Sequence, residues 1–502
     1  MNPSEIIEYK NHRPEATKLY QIVQQHWNTF VAEREQEGRT MPKYIKDEFL
    51  SFLGCGIHAL GAVRLTCEDC GCEKLIAFSC KKRGLCPSCT ARRMAEVAAH
   101  AVDNVIPHVP VRQFVLTFPY LLRLWVASNK TLLGKVAEIA CEQIKKFLLQ
   151  QTFPKQKPTK LQQTGMLCFV QRFGSSLNLN PHFHILAIDG AFEKKTTNRQ
   201  KFYVAEAPSD ENIVELLSGI MKKIYKYLIK KGYLSEVDGD IFQETTDGLF
   251  ISDADEDVHL PAMTASVSSK IAFGINAGHS VMRLKDGMGR IWPSDCGGEI
   301  IGEKCAAVNG FTLHANTAIK AHQRDRLEKL ISYMSRGALS DDRIEITQHG
   351  KIQIKLKTSW RDGTTHVEFS PNEFIEKLIA IIPPPWFNLT RYFGIISSHA
   401  KDRIAVVPPK ATTEDSEPVD TNEQKKVGKK KSRSKKRMSW AALLKRFFKI
   451  DVLICGKCQG KLKIVDVMFP GGLLTTTLQA LGLPTTAPVA SPAKTYFSVF
   501  DD

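Results

Sequence analysis

Apolar residues recur at helical spacing near the start of the chain, where Leu19, Ile22, Val23, Trp27 and Phe30 mark one face of a helix within residues 1–53. The stretch 54–90 loses that period. It is rich in Cys and Gly and holds a short strand at Lys74–Phe78. Thr90–Ile106 reads as a helix that Pro107 and Pro110 stop. Val111–Phe118 is β-rich and Lys130–Gln150 is strongly helical, while Gly165–Phe173 and His182–Asp189 read as strands joined by a Gly/Ser/Asn loop. Residues 190–300 are weakly patterned, with a helix near 211–232 and an acidic loop at 253–257. Beyond them the pattern gives a strand at Ala307–His314 and a helix at His322–Arg336. A hairpin follows, Lys351–Thr358 with Thr365–Phe369 around Arg361-Asp362-Gly363, and then a helix near 372–380 that runs into three prolines. The mixture is that of an α+β protein.

A chain of 502 residues exceeds one compact core. Composition and patterning divide it into an N-terminal helix with a cysteine-rich domain (1–106), a large central region (107–407), a basic disordered linker (408–438) and a small C-terminal module (439–502). That last module carries a helix at Trp440–Phe448, a C-x2-C pair and a strand at Leu462–Met468. The net charge of +16 is concentrated: Lys425–Arg437 holds nine basic residues and no acidic one, leaving +7 over the other 489. Such a tract attracts polyanions without reading sequence. The polar first twenty residues carry no signal peptide, and no apolar run is long enough for a membrane span, so a cytoplasmic location is expected.

Thirteen cysteines in a chain without an export signal suggest metal ligands rather than disulfides. Cys67, Cys70, Cys86 and Cys89 fall as C-x2-C-x15-C-x2-C, the spacing of two knuckles that give one tetrahedral zinc site. Cys72 and Cys80 are spare thiols able to substitute, and His58 is a weaker candidate. Four thiolates close the coordination shell, so this zinc is structural. Arg64, Lys81, Lys82, Arg83, Arg92 and Arg93 surround the cluster and suit phosphate contacts. Cys455-x-x-Cys458 lacks two further ligands and is open between a metal site, a site completed by a partner, and buried thiols.

In Asn180-Pro181-His182-Phe183-His184-Ile185 the alternation of a strand sends both imidazoles to one face and Phe183 and Ile185 to the other. Two such rings can chelate one divalent ion, although the spacing alone fits surface or core histidines equally. On the helix at 322–336, Leu327, Leu330, Ile331 and Met334 form the apolar stripe, and Tyr333 lies at its flank with Arg326, Lys329 and Arg336 around it. A phenol is a poor nucleophile at neutral pH, and neighbouring cations favour the phenolate and bind a phosphate. A tyrosine among cations beside a metal is a workable transesterification site.

At these residues the sequence resembles the rolling-circle insertion-sequence transposases, the family typified by insertion sequence ninety-one, and its common-region relatives. The matching stretches include FSCKKRGLCPSCTARRMAE, QRFGSSLNLNPHFHILAIDG, ISYMSRGALSDDRI and PPPWFNLTRYFGIISSHAKDR, spread from about residue 54 to 406. The resemblance implies an N-terminal zinc ribbon and an HUH endonuclease fold (His-hydrophobe-His), whose central antiparallel sheet carries His182 and His184 and whose helix carries Tyr333. It implies attack of the tyrosine on single-stranded DNA, a 5′-phosphotyrosine, and Mg²⁺ or Mn²⁺ on the histidines. Many members have two tyrosines spaced Y-x3-Y. Here Lys329 stands four residues before Tyr333, as in a single-tyrosine subtype. The third metal ligand has no clear place; Gln171 and His314 are candidates. Tyr392 is the rival nucleophile and reads as a packing residue. Two other readings remain: a replication initiator or metal-dependent nuclease with the same histidine pair, and an inactive zinc-ribbon DNA-binding protein.

Overall fold

The computed structural model describes residues 7–8, 13–195, 200–237, 240–243, 257–285, 299–360, 362–407 and 438–494. The basic tract, Arg361 and most of the acidic loop lie outside them.

The chain begins with helices α1 (Lys18–Gln36) and α2 (Lys43–Leu53). Thr17 caps α1 by accepting from the Tyr20 amide. The two helices meet where Trp27 stacks on Phe49, ring centroids 3.9 Å apart. Strands β1 (Ala62–Cys67) and β2 (Glu73–Ala77) form an antiparallel hairpin, and helix α3 (Pro87–Asn104) starts with its proline in the first turn, where no amide donor is missed.

The large sheet then opens with β3 (Val111–Thr117), followed by helix α4 (Lys130–Thr152), β4 (Gly165–Phe173), β5 (Leu179–Ile188) and helix α5 (Asp210–Lys230). Strands β6 (Glu299–Gly302), β7 (Cys305–Val308) and β8 (Phe311–His314) precede helix α6 (Arg324–Ser335). Helix α7 (Pro371–Ile381) and strand β9 (Thr390–Gly394) complete this part. The order is β6-β7-β8-β3-β5-β4-β9, with Ala318–Ile319 also paired to β3, and every pairing is antiparallel.

Strand alternation separates two apolar layers on this sheet. Phe114, Leu116, Phe183 and Ile185 face α4 and α5, whose Val136, Ile144, Ile213 and Ile220 cover them. Leu167, Phe169, Leu186 and Ile188 face the other way, towards Ala98 and Val102 of α3 and Leu327, Ile331 and Met334 of α6. On the first of these faces Arg112 forks onto Asp189 at 3.0 and 2.9 Å, a buried pair in which a further guanidinium donor reaches the Ala315 carbonyl. Buried Arg172 likewise spends its donors on the carbonyls of Ala127, Ile381 and Ile382.

Three expectations are corrected. Ala307–His314 is two strands rather than one, because Asn309 and Gly310 both adopt positive φ (47° and 76°), as a two-residue hairpin turn requires. The division at 106/107 does not separate cores: α1 and α2 share one apolar cluster with Ile344, Ile352, Val367 and α7. Nor do residues 439–502 form a module of their own. Strand β10 (Leu462–Met468) is the third strand of the N-terminal sheet, ordered β10-β1-β2, and helix α8 (Trp440–Phe448) packs Leu443 onto Ala95 and Ala99 of α3. The later helix Gly472–Ala480 likewise packs Leu474 and Leu478 against Ala62 and Leu75 of that sheet. No described helix is long and apolar enough to cross a membrane.

Candidate active site and metal centres

His182 and His184 lie on the central strand β5, flanked by β3 and β4. Cross-strand partners on the same face are Thr117 and Gln171 for His182, and Val115 and Phe169 for His184. The two rings stand edge to face with centroids 4.9 Å apart. Phe183 between them is fully buried in the opposite layer, which pins the strand's rotation and with it the direction of both imidazoles.

Each ring is oriented by one contact. His182 Nδ1 donates to the Asn180 carbonyl at 2.7 Å, leaving its Nε2 lone pair free. Gln113, two residues from Val115 and on the same face, places its side-chain amide 2.8 Å from His184 Nδ1. As placed, Gln113 Nε2 donates to His184 Nδ1; rotating the amide so that its oxygen faces the ring would put the ring proton on Nδ1 and free the Nε2 lone pair. His184 Nε2 is buried without a hydrogen-bond partner. Burial, then the neighbouring His182 and Arg336, push the His184 pKa down to about 3; burial also lowers that of His182. Both rings are therefore neutral at pH 7, and a neutral imidazole is the form that binds a divalent cation.

Helix α6 brings the tyrosine. Leu327, Ile331 and Met334 at spacings of four and three bury its inner face, which leaves Tyr333 at the flank, 47% exposed. The Tyr333 ring stands edge to face with His184 at 5.9 Å between centroids. Gln171 holds the C-terminal end of the helix to the sheet, its amide donating to the carbonyls of Tyr333 (3.0 Å) and Met334 (2.9 Å). Arg324 fixes the other end by donating to the carbonyls of Val102, Ile106 and Pro107. Gly337 lets the chain pass α3 where a Cβ would meet Thr90 Oγ1 at 2.7 Å.

Cations gather here, not all of them foreseen. The Arg336 guanidinium carbon lies 4.5 Å from the Tyr333 ring centroid and Lys357 Nζ lies 5.5 Å from it. Arg336 Nε is buried and unpartnered. Arg326 and Lys329 are exposed on the same helix. An open cleft beside the site is lined by Arg83, Arg93, Gln171 and Arg336, while Arg92 is half-buried on α3. Lys357 comes from the loop after Ile352–Lys355, and only the folded hairpin brings it to α6.

Other candidates are placed less favourably. His314 pairs with Val115 across β3, two strands from His184. Among the described residues, no third His, Cys, Asp or Glu joins the histidine pair at metal-binding distance. Gln171 faces His182 but directs its amide nitrogen into the helix end. Tyr392 sits on β9 opposite Leu167, packed into the α3/α6 layer, and burial raises its pKa.

The cysteines do not group as their spacing suggested. Cys86 and Cys89 join Cys55 and Cys80, whereas Cys67 and Cys70 join Cys455 and Cys458; within each group all sulfurs lie within 4.8 Å of one another. The expected Cys67/Cys70/Cys86/Cys89 site is therefore corrected to two. The cause is topological: β1 and β2 carry the chain away from the first knuckle, so the second forms beside α2. Cys55, at the end of α2, was missed for want of a second cysteine at knuckle spacing. Cys72 stays outside both groups, as does half-buried His58.

Two family models match the chain. Residues 22–118 match the transposase zinc-binding domain Zn_Tnp_IS91, and residues 165–403 match the transposase family Y2_Tnp. The first match contains all four cysteines of the Cys55 group. The second runs from β4 through β9 and contains His182, His184 and Tyr333. No curated protein and no solved structure matches significantly.

Proposed function

We propose, for a chain that belongs to the IS91-type transposases and carries their zinc-binding domain at its N-terminus, that it cuts and rejoins single-stranded DNA through Tyr333 in an HUH-type site. The observation that carries this reading is the exposed Tyr333 ring standing 5.9 Å from buried His184, whose Nε2 has no protein partner.

The Tyr333 oxygen attacks a phosphodiester phosphorus. A bond forms from tyrosine to the 5′ phosphate, the bond to the 3′ oxygen breaks, and that oxygen leaves to take up a proton as a 3′ hydroxyl. Arg336 and Lys357 hold the phosphate and offset charge as it builds on the non-bridging oxygens. His182 Nε2 and His184 Nε2 would hold Mg²⁺ or Mn²⁺, which supplies Lewis-acid polarisation of the phosphate. The phosphotyrosine keeps the energy of the broken linkage, so a 3′ hydroxyl can attack it and rejoin DNA without ATP. Arg83, Arg93 and the exposed Arg326 and Lys329 supply backbone contacts that position the strand without specifying its sequence. Arg92 is assigned the same role.

Gln113 acts through His184. Gln113→Leu is expected to leave the sheet folded and to weaken Mn²⁺ binding by about 10–100-fold, read by calorimetric titration. Unchanged affinity would show that packing alone orients the ring.

The reaction is tested with single-stranded DNA carrying the element's ends, labelled at either terminus, plus Mg²⁺. The 3′-labelled strand should become covalently attached to protein and the 5′-labelled strand should be released. Cleavage that yields free 5′ phosphate and no adduct would instead establish a metal-activated water as nucleophile.

A further inference from the structure

The Cys67, Cys70, Cys455 and Cys458 group unites cysteines up to 391 positions apart, and only its first two lie within the zinc-binding domain match. We infer that a second zinc ion binds these four thiolates and clasps the C-terminal segment onto the N-terminal sheet, thereby steadying the helix that carries Tyr333.

The geometry suits that metal. Sulfur separations are 3.4 Å for Cys67–Cys458, 3.6 Å for Cys70–Cys455 and 3.4 Å for Cys70–Cys458. A tetrahedral site with Zn–S bonds of about 2.3 Å has edges of roughly 3.8 Å, so a slight expansion accommodates the ion. The two halves are matching knuckles. The Gly71 amide donates to the Cys67 carbonyl at 3.1 Å and the Gln459 amide to the Cys455 carbonyl at 3.0 Å. Gly71 and Gln459 occupy the same place after each second cysteine, and both have positive φ, 67° and 62°.

Sheet register explains why they meet. β1 ends at Cys67, directly opposite Leu462 where β10 begins, so antiparallel pairing sets both knuckles at one end of the sheet. Gly460 lies at the crossing, where a Cβ would meet Asp69 Oδ2 at 1.9 Å. Zinc takes the four sulfurs as thiolates, so binding releases their protons.

From this clasp the connection to the active site is short. β10 follows α8 in the chain, and Arg446 on α8 forks onto Asp103 of α3 at 2.6 and 3.0 Å. The same guanidinium reaches Glu328 of α6 at 2.5 Å, one turn and a half before Tyr333. Arg446 thus ties the C-terminal segment to the helix that presents Tyr333. Zinc at the clasp limits local opening of that segment and so of α6.

The test uses the reduced full-length protein with zinc measured per chain, and hydrogen exchange followed at 462–468 and 324–335. Wild type should hold two zinc ions. Cys455→Ser/Cys458→Ser should hold one, with exchange at least about tenfold faster in both segments. Cys70→Ser, altered on the N-terminal side, should give the same result and so guards against misfolding of the C-terminal variant. One zinc in wild type, or two in both variants, would overturn the second site. Loss of one zinc with unchanged exchange at 324–335 would overturn the link to the tyrosine helix.

Discussion

Tyr333→Phe is expected to abolish the covalent protein–DNA adduct, lowering strand cleavage by roughly 10⁴-fold or more, because it removes the attacking oxygen itself. The substitution deletes one exposed hydroxyl and leaves the inner face of α6, Leu327, Ile331 and Met334, untouched. Thermal stability and zinc content should therefore match wild type, so that loss of activity reports chemistry and not folding. Tyr392→Phe serves as the control. Its ring packs in the layer between the sheet and α3 and α6, and cleavage should persist. Arg336 remains over the ring in Tyr333→Phe, so single-stranded DNA should still bind with near-normal affinity. That separation of binding from cleavage is the signature of a lost nucleophile.

The second large effect is on stability. Cys86→Ser/Cys89→Ser should unfold the N-terminal domain, and a strong zinc chelator should do the same to wild type. Cys55, Cys86 and Cys89 are buried inside the cluster that also holds Leu19, Trp27, Phe49 and Phe374. With Cys80 they bring four sulfurs within 4.8 Å of one another, as tetrahedral ligation of one zinc ion needs. Binding of a structural zinc is worth about 10–16 kcal/mol, comparable with or above the roughly 5–15 kcal/mol that stabilises a whole domain. α7 shares this core, so disruption should spread into the region that follows the tyrosine helix. A melting temperature within a few degrees of wild type would show that the cysteines pack as ordinary apolar groups.

How far the sequence reached depends on the range over which each feature is specified. Strand alternation around Phe183 was enough to place His182 and His184 on one face, since a period of two is a local property. The flank position of Tyr333 followed from the helical period in the same way. Lys357 was invisible because its approach to Tyr333 depends on how a distant hairpin folds over α6. Gln113 had a local signal, being on the same face of β3 as Val115, but nothing in its own neighbourhood gave the register of β3 against β5. The cysteines failed most instructively. Knuckle spacing identified pairs correctly and said nothing about which pairs meet, because that is decided by β10 joining β1 across nearly 400 residues. The apparent independence of residues 439–502 failed for the same reason.

Whether Tyr333 is the nucleophile can be read from the tyrosine that carries DNA, by peptide mapping. Wild-type protein is incubated with single-stranded element ends and Mg²⁺, trimmed with nuclease, digested with trypsin and analysed by mass spectrometry. Cleavage after Lys329 and Arg336 releases Leu330–Arg336, a peptide whose single tyrosine is Tyr333. That peptide should carry the added mass of a 5′-linked nucleotide. A nucleotide on the peptide containing Tyr392, or cut DNA with every tyrosine unmodified, would contradict it.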